Sequence, residues 1–413
     1  MSIGANGYAK LRPLEFRPFE QNGQPYILLR DPYQLADKSL LVPHQLAPVL
    51  TFCDGTRPPA EIAGAFSARY RIPLQAAAVE ELLAALDDAL LLDNARAAAA
   101  KQAALTIYRT APHRPLLLAD RGYPRQPDEL AALLDGYLHT ADVAIRPRSD
   151  WPTRMGLLSP HIDYPRGGHV YAQIWKHAAE AARAAELVVI FGTDHNGDDP
   201  FTLTRQHYAT PYGLLPTAQP VVDALANVVG DEAAFAGELR HRDEHAIELV
   251  AVWLHHMRGG QPVELVPILT GSLPRYMWNG ATPGGDRHIE EMLATIDALA
   301  AGKRLLIVAS GDLAHVGPAF GGAPLTPSGR RQLLHHDETL IQAMGTGSSD
   351  MFFQAIRRYG NANNVCGVAP IYLTMRMLEQ ADAPRNTQQF GYATCPADEQ
   401  NLSVVTVCGM TFS

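Results

Sequence analysis

The sequence predicts an α/β protein: a large unit on a mainly parallel central sheet, preceded by a small winged-helix-like α+β domain. Three observations carry that expectation. Short, almost wholly apolar runs at Met155–Leu158, Val188–Phe191 and Leu305–Ala309 are closed by Ser, Pro or Gly, as strands covered on both faces are. A helical stretch lies between the first two of these runs, giving a strand-helix-strand unit expected to cross over right-handed. Each run also delivers a histidine (His161, His195 or His315) at its carboxyl end, where the loops of such sheets converge on ligands.

At 413 residues the chain exceeds a typical domain of roughly 100–200 residues, and the change of character near residue 104 divides it into 1–104 and 105–413. An apolar content of 47% is ordinary for a globular chain, and a formal net charge of −9 disfavours nucleic-acid and anionic-membrane partners. Met1 to Phe19 lacks a signal-type apolar segment and no apolar run is long enough to span a bilayer, so a cytoplasmic location is expected. Cys53, Cys366, Cys395 and Cys408 are too scattered for a disulfide framework and read as free thiols.

The small domain begins with extended pieces at Pro25–Arg30 and Leu40–Pro43, a two-stranded element, then a helix over His44–Cys53. Asp54-Gly55 makes a turn before helices at Pro58–Tyr70, with Ile62 and Phe66 one turn apart, and at Ala76–Leu92, with Val79, Leu82, Leu83, Leu86 and Leu90 at helical spacing. The alanine run Ala95–Ala104 reads as a helical linker. The stretch Leu50 to Ala63, with Cys53-Asp54-Gly55-Thr56, resembles the PqqD-like peptide-recognition module, which implies leader-peptide capture along a sheet edge. The same layout serves a module that only packs on its neighbour or mediates a homodimer.

In the large unit, Asp128–His139 is an amphipathic helix with Leu130, Leu133, Leu134 and Leu138 inward. Val170–Ala185 is the helix joining the first two histidine-bearing strands. Glu244–His256 and Asp286–Ala301 are further helices, Val263–Leu269 is another buried strand, and Leu402–Met410 closes the unit as a strand.

His161 follows Pro160, a rigid mount suited to a ligand, and precedes a Gly167-Gly168 pair that loosens the chain beyond it. His195 lies among Asp194, Asn196, Asp198 and Asp199, where a carboxylate can fix the tautomer of a metal-bound imidazole. Cys366 precedes a helix through Ile371–Gln380, whose N-terminal dipole and free N–H groups favour the thiolate. Asp312 and His315 form a carboxylate–imidazole pair of the types used in general acid/base work. In Asp243-Glu244-His245-Ala246-Ile247-Glu248, Asp243 reads as the helix N-cap, and His245 or Glu248 can enter the cleft. His255, His256, His335 and His336 read as solvated, and Cys395 and Cys408 as small core residues. No Gly-rich phosphate loop and no Gly-x-Ser-x-Gly elbow is present.

The blocks Pro160-His161-Ile162-Asp163-Tyr164, Gly192-Thr193-Asp194-His195-Asn196, Asp243 to Glu248, Gly311-Asp312-Leu313-Ala314-His315-Val316-Gly317 and Cys366-Gly367-Val368-Ala369-Pro370 resemble, in order and form, those of the Memo family, whose prokaryotic members are called AmmeMemoRadiSam system protein B. The resemblance spans roughly Ala111 to Ser413. It implies the three-layer sandwich of class III extradiol dioxygenases, with a metal held by His161, His195 and Cys366, Asp312 and His315 as the acid/base pair beside it, and His245 nearby. Iron(II) or copper suits two imidazoles and a thiolate, and makes a redox or oxygenase-like activity the leading expectation. The family name implies work beside a radical-SAM protein, and the alternative expectation is a peptide-binding accessory or scaffold. The chain departs from the family pattern at Asn196, at Asp163 and near Gly122, where an opening Trp is missing.

Overall fold

The computed structural model describes residues 8–36, 38–147, 149, 151–278, 280–380 and 386–413, so the first residues of the Met1–Phe19 stretch, read from sequence as lacking a signal-type segment, lie outside the described residues. Two compact units divide between Ala111 and Pro112 rather than after residue 104. The alanine run belongs to one continuous helix, Ala95–Thr110, which Asn94 caps by accepting a hydrogen bond from the Ala97 N–H at 3.0 Å.

The small unit carries a three-stranded antiparallel sheet, Glu15–Gln21, Gln24–Arg30 and Leu40–Pro43, in sequence order. The two-stranded element expected from sequence therefore lacked a strand. Gln21 pairs with Gln24, leaving Asn22 and Gly23 as a two-residue turn with φ of 53° and 72°, the left-handed pair that tight hairpins require. Over His44–Cys53 the structure has a 3₁₀ helix, Ala47–Phe52, rather than an α-helix. The segment is short and Pro48 lacks an N–H, so a single tight turn suffices to bury Val49 and Leu50. Helices Pro59–Tyr70 and Ala76–Asp88 follow, bringing Ile62, Phe66 and Val79 into one apolar cluster.

The large unit is a mixed α/β structure around a mostly parallel sheet. Its four central strands run Arg154–Ser159, Leu305–Ser310, Leu187–Thr193 and Glu264–Thr270 across the sheet, all parallel. Antiparallel strands flank them: Val404–Phe412 beside the first, paired in turn with Thr387–Pro396 and His315–Val316, and Thr202–Leu203 beside the last. Alternation splits each central strand between two cores. Leu187, Val189 and Phe191 face the helices Gln219–Val229, Arg287–Leu299 and Val368–Glu379, while Val188 and Ile190 face Tyr164–His177 and Ala246–Met257. Burial on both faces is why these strands read as unbroken apolar runs. Among the described residues, no helix is long and apolar enough to cross a membrane.

The helix expected over Val170–Ala185 is two pieces, Tyr164–His177 and Ala179–Ala184. Its start lies earlier because Asp163 caps it, accepting from the Arg166 N–H at 3.2 Å, with Pro165 in the first turn. Gly167 and Gly168 therefore lie inside a helix and do not loosen the chain. A Cβ at Gly167 would sit 2.3 Å from Ile162 Cγ2, and one at Gly168 2.5 Å from the Tyr137 ring, so close packing explains both.

Candidate metal centre

Ser310 pairs with both Ser159 and Gly192, which brings the ends of three adjacent parallel strands to one level. His161, His195 and Asp312 each stand two residues beyond their strand's last residue. Three chain reversals at one sheet edge thus place these side chains together. Cys366 arrives from the loop before helix Val368–Glu379. That loop presses directly on the strand end: a Cβ at Gly311 would lie 2.5 Å from Gly367 Cα, and the Gly367 N–H donates to the Asp312 carbonyl at 3.0 Å. The Thr193 hydroxyl holds the Cys366 carbonyl at 3.2 Å.

One ligand atom from each of His161, His195 and Cys366 lies within 4.8 Å of the others. Cys366 Sγ is 3.4 Å from His161 Nε2. Donors about 2.0–2.3 Å from a shared tetrahedral ion stand roughly 3.3–3.8 Å apart, so the Cys366–His161 spacing and the chemistry of the donor set suit a transition metal. His161 is 1% exposed; its backbone N–H donates to Asp312 Oδ1 at 2.9 Å and its Nδ1 faces Ser310 Oγ at 3.4 Å. The backbone N–H of His195 donates to Glu244 Oε2 at 3.0 Å, and its Nδ1 lies 3.0 Å from the same oxygen. With Nδ1 committed to a carboxylate, Nε2 is the nitrogen left for a metal.

The charges reinforce one another. Burial disfavours the Cys366 thiolate, yet the positive rings of His161 and His315 outweigh it and hold the thiol well below its ordinary range. Burial likewise opposes protonation of His161, but Asp312 and Cys366 raise it to about 9. Glu244 is buried and still held far below the usual carboxylate range, chiefly by His195.

Of the expected acid/base residues, Asp312 and His315 each bring a ligand atom within 4.8 Å of the Cys366 sulfur and of each other. Asp312 also donates its backbone N–H to that sulfur at 3.4 Å. His315 Nδ1 lies 3.2 Å from the Leu313 carbonyl, which leaves Nε2 free of that contact. The His245 ring stacks on His195, with centroids 5.1 Å apart and planes at 11°, and meets His161 edge-on at 5.4 Å.

Several sequence expectations are corrected here. Asp243 is not the N-cap: helix Ala246–Met257 begins after His245, Asp243 pairs with Arg242 at 2.7 Å, and Glu244 Oε1 accepts the Ala246 N–H at 3.1 Å. Glu248 does not enter the cleft. It lies buried against Arg114 and accepts the Tyr123 hydroxyl at 2.5 Å and the Leu117 and Leu118 N–H groups at 2.8 Å. The acidic residues on either side of His195 serve Arg240, which binds Asp194 at 2.6 Å and Asp199 at 2.8 Å, so the carboxylate on His195 is Glu244 instead. His255 is buried rather than solvated, held by Thr210 Oγ1 at 2.7 Å and the Gly260 carbonyl at 3.0 Å, because its helix is buried on nearly every side. Cys395 and Cys408 are buried as expected, and burial pushes the Cys395 thiol up to about 11.

Comparison with known proteins places the chain in a family. The family model for the Memo-like protein matches residues 114–411, which holds every side chain of the centre. A MEMO1 family protein of Methanococcoides burtonii is 27% identical over 244 residues, covering 58% of this chain and 79% of the relative. One from Aquifex aeolicus is 22% identical over 397 residues, covering 94% of this chain and 97% of the relative, so that likeness includes the small unit. The Protein memo-1 homolog of Caenorhabditis elegans is 26% identical over 252 residues, 58% of this chain and 66% of its own. The chain therefore belongs to the Memo-like protein family.

Proposed function

We propose that this chain is a metal-binding redox or oxygenase-like protein, holding iron(II) or copper through His161, His195 and Cys366. The observation that carries the reading is the convergence of two imidazoles and a thiolate-favouring cysteine at the carboxyl edge of a parallel sheet. Such an ion, when bound, supplies electron transfer and Lewis acidity. Around it, Asp312 fixes the His161 backbone, Glu244 fixes the His195 ring, and His315 stands beside Cys366 as a proton carrier. The helices on both faces of the sheet are the basis for a three-layer sandwich of the class III extradiol dioxygenase kind, and the free thiols suit a cytoplasmic workplace. Elemental analysis after anaerobic reconstitution tests the reading. Wild-type protein retains the metal through gel filtration, while His161→Ala and Cys366→Ala do not; a metal-free wild type removes the proposal.

A second reading concerns the small unit. Leu40–Pro43 is the outer strand of its sheet and pairs on one side, with Gln24–Arg30, which is the arrangement that strand addition by a peptide needs. The winged-helix-like module would then deliver a peptide handled by a radical-SAM partner. Protection of the Leu40–Pro43 region from hydrogen exchange on adding such a peptide supports this reading, and unchanged exchange opposes it.

A further inference from the structure

Glu244 is 1% exposed, and the groups that hydrogen-bond its carboxylate are N–H donors. Oε2 accepts the backbone N–H of His195 at 3.0 Å and faces the ring Nδ1 at 3.0 Å. Oε1 accepts the Ala246 N–H at 3.1 Å and lies 3.1 Å from both His195 Nδ1 and His245 Nδ1. The carboxylate is also held from behind. An Arg114 guanidinium N–H donates to the Glu244 carbonyl at 2.7 Å, and Gly192, whose Cβ would stand 2.5 Å from Ile247 Cγ1, lets the segment close onto the sheet.

We infer that Glu244 is the positioning residue of the metal centre: one carboxylate locks a ligand, His195, together with the stacked ring of His245, so that both turn Nε2 away from it. Two parallel imidazoles sharing one anchor form a single rigid unit. A ligand ring that cannot rotate loses less freedom on binding a metal, and an acceptor on its far nitrogen raises its basicity. The inference deepens the metal reading and rests on His195 being a ligand.

An amide cannot replace this carboxylate. Each oxygen already receives a backbone N–H, from His195 on one side and Ala246 on the other, so either orientation of a glutamine sets its NH₂ against a donor. Glu244→Gln keeps the shape and removes the anchor.

Cobalt(II) titration of the full chain under anaerobic conditions tests the inference, with the near-ultraviolet thiolate-to-cobalt band and the visible ligand-field bands read separately. Glu244→Gln weakens cobalt binding by about 10–100-fold, the loss typical of a ligand's hydrogen-bond partner. The thiolate band persists because Cys366 is untouched, while the visible bands shift. Glu248→Gln is the control; it lowers the thermal midpoint and leaves cobalt affinity and spectrum as in wild type. Wild-type affinity and spectrum in Glu244→Gln overturn the inference and leave the metal reading standing. A wild type that takes up no cobalt overturns both. Should Glu244→Gln fail to fold, nitrogen-correlated NMR of the zinc-loaded wild type decides: both rings carry the proton on Nδ1, and the opposite tautomer in either ring overturns the inference.

Discussion

The candidate metal edge and the entry segment behind it are each organised around one buried glutamate, Glu244 and Glu248, four residues apart. Both accept several N–H or O–H donors, yet their partners differ in kind. Glu248 faces the Arg114 guanidinium, a permanent cation, and with Tyr123, Leu117 and Leu118 ties the start of the large unit to helix Ala246–Met257. Glu244 faces two imidazoles, which exchange protons and bind metals. The same residue type is thus a structural tie on one side of a helix start and an imidazole support on the other. What distinguishes them is what they face, since burial is equal.

Substitutions can pull this comparison apart. The largest effect falls on the ligands: Cys366→Ala abolishes stoichiometric metal retention, measured by elemental analysis, because two imidazoles alone leave the ion without its anionic donor. Glu248→Ala follows, destabilising the fold by about 3–5 kcal/mol, since it strands the buried Arg114 charge; denaturant midpoints check this, with metal affinity per folded molecule preserved. Gly311→Ala is next. Its Cβ would press on the Gly367 backbone, which cannot yield as a side chain would, so the Cys366 loop shifts and metal affinity falls by about tenfold or more in a competition titration.

Acid affects the tie side more gently. His241 is fully buried, its Nε2 against the Thr202 carbonyl at 2.9 Å, and burial lowers its pKa to about 3; His255 is lowered to about 4 for the same reason. Both stay neutral in the fold while the unfolded chain takes up protons near pH 6.5. Their stability contribution is complete above pH 6.5 and lost as pH falls toward 4 and 3. Thermal midpoints should therefore decline through that window, and more shallowly in His241→Asn. The smallest effect is in the small unit, where Asn94→Ala costs about 1 kcal/mol by removing the cap of Ala95–Thr110.

Much of the candidate site's sheet edge was legible in the sequence because two-sided burial leaves a plain trace. Apolar runs ending in Ser-Pro-His or Gly-Thr-Asp-His announce both the strand and the residue it presents. Cys366 needed the family resemblance, since nothing local says which strand ends its loop will meet. Glu244 was hidden by its neighbours: in an Asp-Glu-His run at a helix start, side-chain direction depends on the cap geometry, and the helix starts two residues later than expected, at Ala246, which leaves Glu244 before the helix with its carboxylate turned to His195. Gly167 and Gly168 were misread as looseness because the close approach of Ile162 and Tyr137 is a tertiary fact. The strand Glu15–Gln21 was missed although Asn22-Gly23 marks its hairpin; its exposed, mixed composition lacks the alternation of a half-buried strand.

X-ray absorption of the anaerobically reconstituted wild type tests the central claim most directly. The account predicts one sulfur scatterer at about 2.3 Å with nitrogen ligands at about 2.0–2.1 Å, and loss of the sulfur shell in Cys366→Ala. A first shell of nitrogen and oxygen alone in the wild type would contradict it.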